Sequence, residues 1–248
     1  MYGSIVPPGA SARTDTRLSP VPDTASPVLC APLRREELRD LARTQRALVR
    51  ARGQAVVREG DRADRFFVLN SGAVALQRSL PDGRRQVLDF LWRGDVLGVG
   101  DGERFGYDAL TLADTALCTV TRPDLDRLME DYPELATRLA RIGSERLTHA
   151  FDRMTLLGRL SAEEKLASFL LELSDRQGRC GGRTNPVWVP MSATDIADYL
   201  GLRVETVSRR TSAFQKKGLI RRVESHRIAL LDPAALREIA EGGEGDED

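Results

Sequence analysis

GLRVETVSRRTSAFQKKGLI, residues 201–220, places Glu205, Ser208 and Arg209 within about one helical turn and follows them with Lys216 and Lys217. Positions i, i+3 and i+4 share a helix face, so the three side chains project together. Val204, Val207 and Phe214 fall on the other side and are the inward positions, as are Ala197, Leu200 and Leu202 just upstream. The preceding segment, SATDIADYL, opens on Ser192 as an N-cap. Gly201 stands where a left-handed residue ends a helix. Helix, short glycine-containing turn, helix is the helix-turn-helix pattern. After Gly218, LIRRVESHRIALLD gives two short β runs around Glu224-Ser225-His226, a hairpin wing.

In this motif the N-terminal part of the second helix enters the DNA major groove. Arg209 can donate two hydrogen bonds to guanine, and Glu205 can accept from an exocyclic base amine and orient Arg209. Ser208 is small enough to approach a thymine methyl or a phosphate. Thr206, Arg210, Lys216 and Lys217 suit phosphates, as do Ser192 and Thr194 at the start of the first helix; such contacts give affinity without sequence reading. The competing reading is an exposed helix carrying a Glu205–Arg209 salt bridge worth a few tenths of a kcal/mol. The turn, the wing and the basic surroundings together favour double-stranded DNA as the partner.

The 248 residues suffice for two domains. Formal net charge is zero, yet residues 191–231 hold eight Lys/Arg against four acids, a local basic footprint. Three cysteines, Cys30, Cys118 and Cys180, make no disulfide framework. With no signal-peptide pattern and no run near the ~20 apolar residues of a membrane helix, a cytoplasmic protein without a membrane partner is expected. An enzyme is not: His149 and His226 lie in separate elements, and no nucleophile–base constellation, metal-ligand set or phosphate-binding glycine loop appears.

Along the chain, residues 1–30 are rich in Pro, Ser, Thr and Ala and read as a disordered arm. Residues 31–132 begin with a helical pattern and then change to short apolar runs broken at Glu59-Gly60-Asp61, Asn70-Ser71-Gly72, Pro81-Asp82-Gly83 and Arg93-Gly94-Asp95, which predicts a β-sandwich or β-roll. Residues 133–159 form one long helix of about 40 Å. Its stripe Leu135, Leu139, Ile142, His149 and Leu156 either packs on a second copy, making a homodimer, or rests on the β-domain. Residues 160–236 make the DNA-binding domain, opened by a Ser161/Glu164 capping box. Residues 237–248 read as an acidic disordered tail.

The sequence resembles the CRP/FNR superfamily of bacterial transcription regulators over about residues 30–236. DIADYLGLRVETVSR and SAEEKLASFLLELS are similar to the FNR/FixK branch. The resemblance implies an α+β architecture: an N-terminal cyclic-nucleotide-binding-like β-roll, a long dimerisation helix and a C-terminal winged helix-turn-helix. It implies a homodimer on a palindrome with TTGAT-type half-sites, base-read by Glu205, Ser208 and Arg209. It implies activation through RNA polymerase, with Gly83 and Arg84 at the tip of LPDGRRQ resembling a contact loop.

The effector expectations follow from departures. Cyclic-AMP-binding members use Gly-Glu-Leu and Arg-Ser/Thr-Ala stretches; here GVG puts Val99 at the Glu position, and YDA puts Tyr107 and Asp108 at the Arg and Ser positions. A carboxylate facing a phosphate is repulsive, so no cyclic-nucleotide response is expected. Cys30 and Cys118 resemble two of the four ligands of the oxygen-sensing members' iron–sulfur cluster; the other two are missing, too few for such a cluster. Neither histidine falls in the β-roll, so no haem is expected. The remaining resemblance is to FixK-type regulators active without a bound effector. A redox- or oxygen-responsive regulator gated through Cys30/Cys118 or Cys180 is the alternative, and a β-roll that binds some other small molecule is a further one.

Overall fold

The computed structural model describes residues 43–99, 102–179 and 183–242. The expected arm, Cys30 and Cys180 lie outside the described residues, as does most of the helical pattern before Arg46.

Among the described residues the β-domain holds eight strands: β1 (Arg46–Arg50), β2 (Ala55–Val57), β3 (Arg65–Ser71), β4 (Ala73–Ser79), β5 (Arg85–Trp92), β6 (Val96–Leu97), β7 (Asp108–Thr111) and β8 (Thr115–Thr121). They form two four-stranded antiparallel sheets, ordered β1-β8-β3-β6 and β2-β7-β4-β5. Phe67, Leu69, Val74, Leu91 and Leu117 fill the space between them, the alternate positions that a half-buried strand turns inward. The turn glycines of the sequence pattern are in place. Gly72 alone links β3 to β4, with φ +89° and an open flank only because it has no Cβ: a methyl group there would lie 2.4 Å from Thr115 Oγ1 and 2.6 Å from the Asp114 carbonyl oxygen.

Helix α1 (Arg122–Asp131) follows, capped by Thr121, and then α2 (Pro133–Arg159), the long helix expected at residues 133–159. The stripe proposed for dimerisation is turned the other way. Leu135 is 0 % exposed, and Leu139 and Ile142 are also buried, all three against Phe66, Val68, Val96 and α1 of the same chain. His149 faces Asp89 and Glu172, and Leu156 packs on the DNA-binding domain's core. The reason is physical: an apolar helix stripe says that something covers it, not what. The opposite face carries Leu147, Phe151 and Met154, each more than half exposed and Met154 70 %.

The C-terminal part comprises α3 (Ala162–Arg179), β9 (Val187–Trp188), α4 (Ala193–Leu200), α5 (Val204–Lys216), β10 (Ile220–Glu224), β11 (Arg227–Leu230) and α6 (Pro233–Ala240), with a three-stranded sheet ordered β10-β11-β9. The Ser161/Glu164 capping box forms. Residues 237–240, assigned from sequence to the acidic tail, belong to α6 instead: Asp232 caps it, Leu236 is fully buried, and Ile239 and Ala240 pack on the core. The domain therefore runs past residue 236.

The two parts share one core. Ala75, Val87, Phe90 and Trp92 of the β-domain cluster with Phe169, Leu170, Tyr199, Leu200 and Phe214. Phe90 sits 4.8 Å from Tyr199 and 6.2 Å from Phe169, ring centre to ring centre, distances at which tilted aromatic pairs attract.

Gly72→Ala should lower unfolding stability by roughly 2–4 kcal/mol, because backbone strain and overpacking each cost about 1–3 kcal/mol. Chemical denaturation measures it; a loss below about 0.5 kcal/mol, the scale of an ordinary surface change, would contradict the packing described.

Candidate nucleic-acid interface

Each piece of the helix-turn-helix is fixed by local chemistry. Ser192 and Asp195 form a reciprocal box: the Asp195 N–H donates to Ser192 Oγ at 3.1 Å and the Ser192 N–H donates to Asp195 Oδ2 at 2.9 Å. Burial pushes the Asp195 carboxyl up, but the Ser192 donors and Arg85 outweigh it and hold the group below the ordinary value. Gly201 closes α4 in the left-handed region at φ +63°, and the Leu202 N–H returns to the Ala197 carbonyl at 3.0 Å. Three residues later α5 begins.

Val207 and Phe214 anchor α5 in the core, and Leu202 and Val204 are half-buried against it. The other face is open. Glu205, Ser208 and Arg209 are exposed side by side, and so are Lys216 and Lys217 about two turns beyond Arg209. Among the described residues Glu205 and Arg209 form no ion pair with each other, so the competing helix salt bridge is not made.

Three of the phosphate-facing candidates have other tasks or surroundings. Arg210 turns inward, its Nη1 2.7 Å from Glu163 Oε1, and ties α5 to α3; only a side chain pointing away from the core could have met a phosphate. The Ser192 hydroxyl is spent on the Asp195 box. Thr206 is half-buried, and Thr194 is exposed on the first turn of α4.

The wing adds further positive charge beside α5. Arg221 and Arg222 are exposed on β10, and Ser225 and His226 form the tip. Between wing and α5 runs a groove of about 320 Å³ with Ser208, Ser212 and Gln215 on one wall and Arg222 and Ser225 on the other. The doubled arginine in LIRRVESHR was the available signal.

The other singled-out residues fall elsewhere. Gly83 and Arg84 form the exposed tip of the β4–β5 hairpin, where Arg84 Nε donates to Asp82 Oδ2 at 2.7 Å. The next residue, Arg85, leaves the tip and reaches α4, with Nη2 2.7 Å from Asp195 and 2.6 Å from Asp198. Cys118 lies mid-β8, half-buried, accepting from Asn70 Nδ2 at 2.9 Å. Tyr107 packs on Phe105 with ring centres 5.9 Å apart. Asp108 accepts from the Glu59 N–H and pairs with Arg58 at 3.7 Å, while Arg78 donates twice to the Gly106 carbonyl. Val99 packs toward α2.

Where α2, β5 and α3 meet, Arg176 binds Asp89 at 2.9 Å, Asp95 at 3.1 Å and Glu172 at 3.4 Å. Burial opposes the charge of Arg176, yet the three carboxylates hold its pKa well above the ordinary value; burial likewise opposes Asp89, which Arg176 and His149 hold well below. His149 Nε2 lies 3.6 Å from Glu172 and 3.7 Å from Asp89, and Asp89, ahead of opposing burial, raises its pKa.

Residues 164–239 match the family model described as Crp-like helix-turn-helix domain, and residues 49–132 that of the cyclic nucleotide-binding domain. The nitrogen fixation regulation protein FixK of Bradyrhizobium diazoefficiens is 36% identical over 212 residues, 86% of this chain and 89% of that protein. The chain belongs to the CRP/FNR family of transcription regulators. Within the family it is similar to the transcriptional activatory protein AadR of Rhodopseudomonas palustris, 38% identical over 75% of this chain and 78% of the relative. The solved structure of FixK2 from Bradyrhizobium japonicum superposes with a TM-score of 0.73 at 32% identity, covering 79% of this chain and 96% of that one. The CRP/FNR architecture and the FixK-type helix-turn-helix expected from sequence are thus both present, and the relatives are DNA-binding regulators rather than enzymes.

His149 gives a pH prediction. Its folded pKa is raised, so its stabilisation is complete below about 6.5, the unfolded value, and is lost as pH rises through the folded value above it. The melting-temperature gap between wild type and His149→Gln should shrink between pH 6 and 9. A gap that is constant with pH would contradict the assignment.

Proposed function

We propose that the chain activates transcription as a cytoplasmic homodimer that reads TTGAT-N4-ATCAA-type palindromes and touches RNA polymerase, with no cyclic nucleotide, haem or iron–sulfur cluster required. The observation that carries the reading is the clean split of α5, with Val207 and Phe214 locked in the core and Glu205, Ser208 and Arg209 standing unpaired with one another on the outer face. Arg209 reads guanine, Glu205 a base amine, and Ser208 a methyl or phosphate. Lys216, Lys217 and the wing arginines supply phosphate neutralisation.

The dimer contact is the outer face of α2. Ala140, Ser144, Leu147, Phe151, Met154 and Gly158 alternate at spacings of four and three and are all exposed, the repeat that two helices bury against each other. The polymerase contact is the β4–β5 tip at Gly83 and Arg84. Effector independence draws support from Tyr107 and Asp108, which bring an aromatic ring and a carboxylate to the positions where the resemblance expects Arg and Ser, while the nearby Arg58 is paired with Asp108 and Arg78 with the Gly106 carbonyl.

Fluorescence anisotropy in air, on protein free of metal and nucleotide, tests the reading. The palindrome should bind at least ~10³-fold more tightly than a scrambled duplex; equal, weak binding to both would overturn it and bring forward the redox alternative. Arg209→Ala should lose about 1–3 kcal/mol of discrimination at the guanine, and an unchanged base preference would remove it from the reading set. Phe151→Glu should turn the dimer into a monomer in sedimentation velocity; a dimer that persists would place the interface elsewhere.

A further inference from the structure

Arg153 is a charged side chain in a place where a leucine would pack. It lies in the last two turns of α2 and is 7 % exposed. Its Nη2 donates to the Tyr199 carbonyl oxygen, and its guanidinium carbon stands 3.4 Å from the centre of the Tyr199 ring. Tyr199 occupies the final turn of α4, where carbonyls lack helical partners and a cation is favoured. It is held rigidly from behind by Phe90 and Phe169 at 4.8 and 5.6 Å. One α2 turn further on, Leu157 fits against Gly201, where an added Cβ would lie 3.3 Å from Leu157 Cδ2. Lys165 Nζ binds the Leu157 carbonyl at 3.1 Å and anchors that end of α2. Arg153, buried, and Leu157, partly exposed, therefore meet the last turn of α4 and Gly201 just after it, with only Gly201, Leu202 and Arg203 between α4 and α5.

We infer that Arg153 is a positioning residue that sets the spacing between the two half-sites the protein accepts. The inference rests on the proposed palindrome-reading dimer. Phe151 and Met154 flank Arg153 on the outer, partner-facing side of the same helix. With α2 paired on its copy, the angle that Arg153 imposes between α2 and the turn fixes the distance and twist between the two α5 helices. Half-site spacing in helix-turn-helix dimers is a consequence of that distance. A buried ion often adds little net stability compared with an apolar isostere, so the role is separable from folding. A guanidinium that stacks and donates at once has no equivalent in lysine or methionine.

The test uses Arg153→Met and Arg153→Lys in the full chain. The first measurement is affinity for TTGAT palindromes with central spacers of three, four and five base pairs, and for an isolated half-site. Wild type should favour four by about tenfold or more, the scale of a 1.4 kcal/mol preference. Arg153→Met should bind the isolated half-site as wild type does while its spacer preference falls below about threefold. A variant whose spacer preference is intact, with all affinities lowered together, would make Arg153 merely structural. The second measurement needs no DNA: the distance distribution between spin labels on exposed Thr155 and Gln215 of one protomer, narrow in wild type and broad in both variants. An unbroadened distribution would overturn the inference. If wild type ignores the palindrome, the proposed reading fails, and the label distances still decide whether Arg153 positions α5.

Discussion

Arg176, held by Asp89, Asp95 and Glu172, and the neighbouring Phe90–Phe169–Tyr199 cluster form the joint on which the rest of the molecule depends. β5 supplies one side of that joint and α3 and α4 supply the other. A carboxylate or guanidinium left alone in such a place would cost several kcal/mol; here every charge has an opposite within 4 Å. The apolar half has the stronger grip, because a single core spans the β-domain, α3 and the helix-turn-helix. Arg85 continues the joint outward to Asp195, the residue that also caps α4, so the β4–β5 hairpin and the DNA-reading motif are linked through one side chain.

This joint gives the proposed effector independence a physical basis. A regulator that waits for a ligand needs two arrangements of similar free energy. Here the arrangement present is cross-braced by ion pairs, aromatic contacts and the Arg153 and Leu157 grip on the turn. Meanwhile Tyr107 and Asp108 are engaged with Phe105, Glu59 and Arg58 inside the β-domain. The reading face of α5 needs no further ordering: its inner residues are already buried and its outer residues already exposed.

Much of this was legible from residues alone. Ser192 and Gly201 bracket α4 because N-cap oxygen and left-handed glycine are local requirements, independent of the rest of the fold. The long helix was readable for the same reason, through Pro133 and its unbroken pattern. Which side of that helix meets the β-domain and which stays exposed was not readable. Leu135, Leu139 and Ile142 are as apolar as Leu147, Phe151 and Met154, and only the position of the β-domain separates them. Arg210 reads as a phosphate ligand until Glu163, forty-seven residues away, is seen beneath it. Arg153 and Arg85 were invisible for a similar cause: an arginine in a sequence looks solvated, and its burial is a tertiary fact. The helix over 233–240 was missed because its apolar face is short and the acidic residues after it dominate the composition.

The most direct test of the shared core is calorimetric unfolding of the full chain without DNA or effector, in a low-salt buffer at neutral pH. The account predicts one cooperative transition in which the β-domain and the helix-turn-helix melt together, with near-ultraviolet Trp and Tyr signals following the heat. Two separated transitions, with the helix-turn-helix melting on its own, would mean that the joint does not hold the reading face in place and that something outside the chain must.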